Sequence, residues 1–291
     1  MSGKCVMAGR VTADYFLIGQ SRRARVLFEV IVRERPAEGN PLSQEERVST
    51  SIADENNIEL ISPIMRPALQ EFAALIQKLT GPRLNGLTAF GQVLSKDFDL
   101  AHLAARSVLV LDGIDLGLLR RISEHGPQFG AKHIAAPLVM TPGYITASLD
   151  TFPLEFAEII QRRATLAGQD YFADLHVETE HLRLQCEREL KQILIRLRQA
   201  VLSAGTHEGL LGDLQLDIGR QLLRTLRGVS WIHGKKDYAP SEQVLGETEQ
   251  WLGCRLEGAR SVILSHGGLG WPEFQTFYHD VEKLAEKADA L

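Results

Sequence analysis

The chain has 291 residues, 44% of them hydrophobic and 24% charged, and carries a net charge of -5. That is the balance of a globular chain with a sizeable core, long enough for two domains or for one domain with a helical extension. The acidic net charge excludes broad, charge-driven binding to nucleic acid or anionic membranes, while leaving room for a local basic groove.

Residues 1–66 stand apart. Residues 26–32 (Val-Leu-Phe-Glu-Val-Ile-Val) have strand character, and residues 6–18 are placed to pair with them across the basic turn Ser21-Arg22-Arg23. The chain then turns polar over residues 33–57, with Pro36, Gly39, Asn40 and Pro41, the signature of a linker. The expectation is a weakly tied β-hairpin appendage plus linker, since an isolated hairpin is marginal in water.

Pro67 predicts the first turn of a helix that carries Leu69, Phe72, Leu75, Ile76 and Leu79 and ends at Gly81-Pro82. Two short apolar runs follow, residues 87–91 and 107–112, bounded by turn residues as buried strands are. Residues 115–125 predict a helix with Leu116, Leu118, Leu119 and Ile122 on its apolar face, stopped by Gly126-Pro127. Residues 134–140 are apolar and lead through Thr141-Pro142 into a short helix; residues 150–156 then read as a third strand, with Pro153 at its end.

Beyond Phe172 the pattern is helical: 181–203, from Thr206 as cap to about 227, from Pro240-Ser241 to 252, 256–264, and a last helix from Pro272. The expected fold class is α+β: an appendage over 1–66, a small mixed β-sheet domain over 67–165, and an α-helical bundle over 166–291. The cysteines (Cys5, Cys186 and Cys254) are far apart with no CxxC spacing, so free thiols in a reducing compartment are expected. No apolar run reaches bilayer length, and no uninterrupted apolar core follows the first charges. A signal peptide and a membrane partner are therefore not expected, and the cytoplasm is the default location.

A glycine closing one strand, with a second strand a dozen residues on, is how nucleotide-transfer folds begin. The blocks Leu87-Thr88-Ala89-Phe90-Gly91, Ser107-Val108-Leu109-Val110-Leu111, Pro137-Leu138-Val139-Met140-Thr141, Ser148-Leu149-Asp150-Thr151-Phe152-Pro153-Leu154-Glu155-Phe156, Leu182-Arg183-Leu184-Gln185-Cys186-Glu187-Arg188-Glu189-Leu190 and Gly270-Trp271-Pro272-Glu273-Phe274-Gln275 carry a resemblance. Together they resemble bacterial proteins of the nucleotidyltransferase superfamily, of DNA polymerase beta-like fold, with a helical C-terminal domain; the match runs from about residue 68 to about 290. The resemblance implies a Gly-Ser pair for the nucleotide phosphates, an Asp-x-Asp for two magnesium ions and a third carboxylate on a later strand. Divalent cations are needed because the triphosphate is highly negative, and carboxylates two apart on a strand share a face.

Here the motif is degenerate. Gly91 stands, but the serine position is Gln92, and the Asp-x-Asp positions fall on Ala105-Arg106-Ser107. Asp97 and Asp99, two apart in the preceding loop, are either a displaced metal pair or a solvated loop. Asp112 and Asp115 read as a turn and a helix cap, and Glu155 or Asp150 matches the third carboxylate. The candidate catalytic residues are thus Asp97, Asp99 and Glu155, with Gly91 and Gln92 for the nucleotide; magnesium is a cofactor only if that catalytic reading holds.

Other constellations are weaker. Arg227 and His233, six apart, have the spacing of a helical ribonuclease pair, one residue for charge and one for proton transfer, against a helix end stopped by Gly228. His176, Glu178, Glu180 and His181 lack any HExxH pattern and read as a surface turn; residues 266–270 do not match GxGxxG. Arg183, Arg188, Arg196 and Arg198 make one basic side, either a solvated face paired with Glu187 and Glu189 or a phosphate-facing wall. Three readings result: a catalytically degenerate nucleotidyltransferase-like binding or regulatory module, an active transferase with a rearranged carboxylate site, and a helical-domain ribonuclease. The expected partners are a nucleotide and a protein docking on the helical domain.

Overall fold

The computed structural model describes residues 58–95, 98–100, 103–205, 207–264 and 270–288. These all fall within residues 50–291, one compact unit. The hairpin and linker expected over 1–57 lie outside the described residues, as does the cap expected at Thr206.

Helix α1 (Arg66–Thr80) opens with Pro67 in its first turn and buries Leu69, Phe72, Ala73 and Ile76. Strands β1 (Leu84–Phe90) and β2 (Arg106–Leu111) pair antiparallel, with Leu87 opposite Leu109 and Phe90 opposite Arg106. Helices α2 (Leu116–Ser123) and α3 (Gly126–Gly130) follow. Asp115 caps α2 as expected, accepting from Gly117 N at 2.8 Å and Leu118 N at 3.3 Å. Strand β3 (Leu138–Met140) runs parallel to β2, and α4 (Pro142–Ala147) leads away from it.

The strand expected over 150–156 does not form. Asp150 to Phe152 turn, and Pro153 starts helix α5 (Pro153–Gln161), which buries Leu154, Phe156, Ala157 and Ile159. A proline with fixed φ fits a helix start as well as a strand end, and the apolar spacing beyond it is helical. The fourth strand is instead β4 (Arg163–Gly168), antiparallel to β1, giving the order β3-β2-β1-β4. Its inward residues include Ala164 and Ala167, too small to give an apolar signal. The division expected at 165/166 falls inside this strand.

The helical region comprises α6 (Thr179–Ala204), α7 (Glu208–Ile232), α8 (Ser241–Leu252), α9 (Glu257–Leu264) and α10 (Trp271–Ala288). The molecule is therefore mixed α+β, a small mixed sheet joined to a helical bundle. Leu87, Ala89, Leu109 and Leu111 pack on α1, α2 and α3, where Phe72 meets Phe129 edge-on at 5.0 Å. Phe90, Val108 and Val110 pack on α5, α6 and the end of α7. A third cluster fills the bundle. Among the described residues no helix is long and apolar enough to cross a membrane.

Gly228 does not stop α7. A Cβ there would lie 2.6 Å from Leu154 Cδ1 and 2.7 Å from Cys186 Sγ, so glycine lets the helix pass close to α5 and α6. Gly258 serves the same purpose between α9 and α10: a Cβ would come within 2.2 Å of Phe277 N. Asp280 of α10, 3% exposed, accepts from Gly258 N at 2.8 Å and Ala259 N at 3.1 Å, satisfying two otherwise orphaned amides at the start of α9.

Candidate functional site

The candidate site lies at the end of β1. Gly91, at φ +77, takes the left-handed conformation that turns the chain out of the strand, and its N–H donates to Arg162 O at 2.9 Å. Gln92 follows in a 3-10 turn (Gly91–Leu94). The register brings the start of β2 beside this turn. Arg106, opposite Phe90, lays its guanidinium over the Phe90 ring at 4.4 Å and pairs with Glu158 Oε1 at 2.7 Å. Its neighbours Ala105 and Ser107 are buried. Glu158 comes from α5 and reaches under the turn, where a Cβ on Gly91 would lie 3.2 Å from its Oε1. Its second oxygen, Oε2, is buried without a hydrogen-bond partner.

The expected site residues are distributed as follows. Gln92 and Asp99 are half-buried and line one cleft of about 200 Å³, closed on the other side by Gly219, Arg220 and Leu223 of α7 and Val262 of α9. Phe98, between the two loop aspartates in sequence, is 8% exposed and belongs to the sheet core. Asp97 lies outside the described residues. Glu155 sits in the first turn of α5, accepts from Gln185 Nε2 at 2.9 Å and faces Arg224 at 3.5 Å. Gln185 also accepts from Leu154 N at 2.8 Å, so this network ties the start of α5 to α6 and α7. Asp150 is exposed and accepts from Thr151 Oγ1 at 3.0 Å. Among the described residues, no three His, Cys, Asp or Glu side chains gather into a metal-holding set.

The chain matches no protein-family model and no curated protein.

The cleft is thus lined by an amide, a carboxylate, a guanidinium and an apolar wall, a mixture able to hydrogen-bond a polar ligand. The Arg106–Glu158 pair was missed at the level of sequence, because Glu158 lies 52 residues along the chain from its partner. Of the ribonuclease pair, Arg227 is 9% exposed and donates to Tyr238 Oη, whereas His233 is exposed against Trp251 at 5.6 Å. On the basic side of α6, Arg183 pairs with Glu180 and Glu187, Arg196 with Asp217, and Arg198 donates to Tyr278 Oη; Arg188 is exposed. These contacts fit the paired face. His176 lies 3.6 Å from Glu178 in the exposed turn before α6.

Cys186 is buried at the junction of α5, α6 and α7, donating to Thr225 O at 3.8 Å. Burial pushes its thiol up to about 12, with Glu189 and Glu155 adding to the effect. The thiolate is the reactive form, so Cys186 is expected to resist alkylation in the native chain while Cys254 is exposed. In a Cys5→Ser, Cys254→Ser background, iodoacetamide should label Cys186 only after unfolding in urea; native labelling would show that the junction opens. The protonated thiol favours the fold fully below its ordinary value of 9.0, and that contribution is lost as pH rises through about 12.

Proposed function

We propose that this chain is a nucleotidyltransferase-like protein that has lost metal-dependent transfer and acts as a binding or regulatory module. The observation that carries this reading is the Arg106–Glu158 pair. By the sequence resemblance, the start of β2 is where two magnesium-binding aspartates belong. A guanidinium held there repels a divalent cation, and it already engages one oxygen of the nearby Glu158 carboxylate. Transfer without the metals would forgo the main stabilisation of transition-state charge, several kcal/mol in magnitude. In this reading the cleft at Gln92 and Asp99 takes one part of a nucleotide, without magnesium, and the rest of the ligand lies outside it.

A second reading, an active transferase with Asp97, Asp99 and Glu155 as a rearranged set, is favoured by the shared cleft of Gln92 and Asp99. The two are separated by titrating nucleoside triphosphates into the native chain and into Asp99→Ala, with and without magnesium.

A further inference from the structure

A second cavity, of about 310 Å³, lies at the C-terminal end of α7. A sharp reversal builds it. Gly234, at φ +82, ends the helix in a left-handed cap. Its N–H donates to Trp231 O at 2.9 Å and the Lys235 N–H to Ser230 O at 3.0 Å, the paired bonds of a Schellman turn. The chain is thereby folded back, so that Lys235, Lys236 and Tyr238 line the cavity together with Arg227.

Arg227 is 9% exposed and its Nε is buried without a hydrogen-bond partner. Its guanidinium lies 4.8 Å from the centre of the Tyr238 ring and donates to the Tyr238 hydroxyl at 3.4 Å. Arg162 stacks on the same ring at 4.1 Å and donates to Leu94 O. Among the described residues the partners of both arginines are thus a ring, a hydroxyl and a carbonyl, none of them an anion. Burial holds the Arg162 guanidinium below its ordinary value; Tyr238 opposes this shift and Arg227 adds to it. Of the remaining lining charges, Lys235 is 3.4 Å from Glu247, whose Oε2 is buried and unpaired, Lys236 lies 5.5 Å from the Trp231 ring, and Asp237 is exposed. Among the described residues no carboxylate pairs with either arginine, and an unpaired cation as buried as Arg227 is costly, the more so beside half-buried Arg162. A bound anion would relieve that cost, and the forked donors of arginine match phosphate oxygens.

We propose that this cavity binds a phosphate-class dianion, held by Arg227 from below and by Lys236 at the mouth, with Arg162 reinforcing the positive field behind Tyr238. Its volume is at the small end of ligand pockets, enough for inorganic phosphate or for a phosphate monoester with a small organic group. The site shares no lining residue with the cleft at Gln92 and stands whether or not the nucleotide reading does.

The test is calorimetric titration of the full chain at low ionic strength with inorganic phosphate and, separately, with phenyl phosphate. Saturable binding is expected, weakened about tenfold or more in Arg227→Gln, since charge-assisted hydrogen bonds are lost. Lys236→Gln, at an exposed position that leaves the fold intact, is expected to weaken it by about threefold. Tighter binding of phenyl phosphate assigns the site to monoesters, and equal binding assigns it to the free anion; both support the proposal. Absence of saturable binding of either probe up to about 10 mM, or affinities unchanged in both variants, would overturn it.

Discussion

Replacing Gly258 by valine is expected to unfold the helical half of the chain at much lower denaturant than the native protein. The position faces backbone, not a flexible side chain: a Cβ would meet Phe277 N at 2.2 Å and Thr276 C at 2.3 Å. Relief therefore requires α9 and α10 to separate, which withdraws Phe277 from the bundle core and pulls Gly258 N and Ala259 N away from Asp280. Overpacking of this kind costs about 3 kcal/mol, more where a helix must move. Urea unfolding followed by circular dichroism measures it. Gly246→Ala in α8 is the control, because a Cβ there meets nothing within 4 Å. That change is expected to be neutral or to stabilise by about 0.5–1 kcal/mol through helix propensity. Equal behaviour of the two variants would mean that the Gly258 crossing is not close-packed in solution.

Glu249→Ala is expected to cost about 3 kcal/mol, the scale of a broken buried ion pair. Glu249 is 9% exposed and binds Arg260 through two hydrogen bonds, at 2.8 and 3.1 Å, while accepting from Leu256 N at 3.0 Å. Removing it strands the Arg260 guanidinium, although Glu242 at 3.6 Å offsets part of the loss. The same bonds give the pair a pH signature. The hydrogen bond from Arg260 holds the Glu249 carboxyl below its ordinary value of 4.5, against burial, with Leu256 N–H and the nearby arginine charges assisting. A depressed folded value contributes stability that is present above the unfolded value and lost as pH falls through the folded one. The gap between native chain and variant should therefore narrow on acidification below about pH 4.5. A gap constant across that range would show that the pair contributes through packing alone.

Much of this architecture was legible in the sequence. Pro67, Asp115 and Pro240-Ser241 mark helix starts through local chemistry, and the apolar runs at 87–91 and 107–112 correspond to β1 and β2. Pro153 misled because the same fixed φ serves a strand end and a helix first turn. Strand β4 was illegible because an edge strand facing inward with alanines has no apolar period to read. Gly228 looked like a stop because a glycine needed for helix crossing and one needed for a cap are the same letter; the actual cap is Gly234, six residues on.

Of the candidate site, the order along the chain already places Gly91 and Gln92 after one strand and Arg106 at the start of the next. The partner of Arg106 could not, since Glu158 reaches it from another element. Nor could the pairing of Arg162 and Arg227 on Tyr238: each lies on a different element, and only the reversal at Gly234 brings them to one ring. The lone signal was the run Gly234-Lys235-Lys236-Asp237-Tyr238, where basic residues and an aromatic one follow a glycine.

The proposed loss of metal-dependent transfer is tested most directly by calorimetric titration of the full chain with ATP, GTP, CTP and UTP, in magnesium and again in EDTA. The expected result is binding heat that magnesium leaves unchanged, both in the native chain and in Asp99→Ala. Magnesium-dependent binding that disappears in Asp99→Ala would contradict it and assign the cleft to an active transferase.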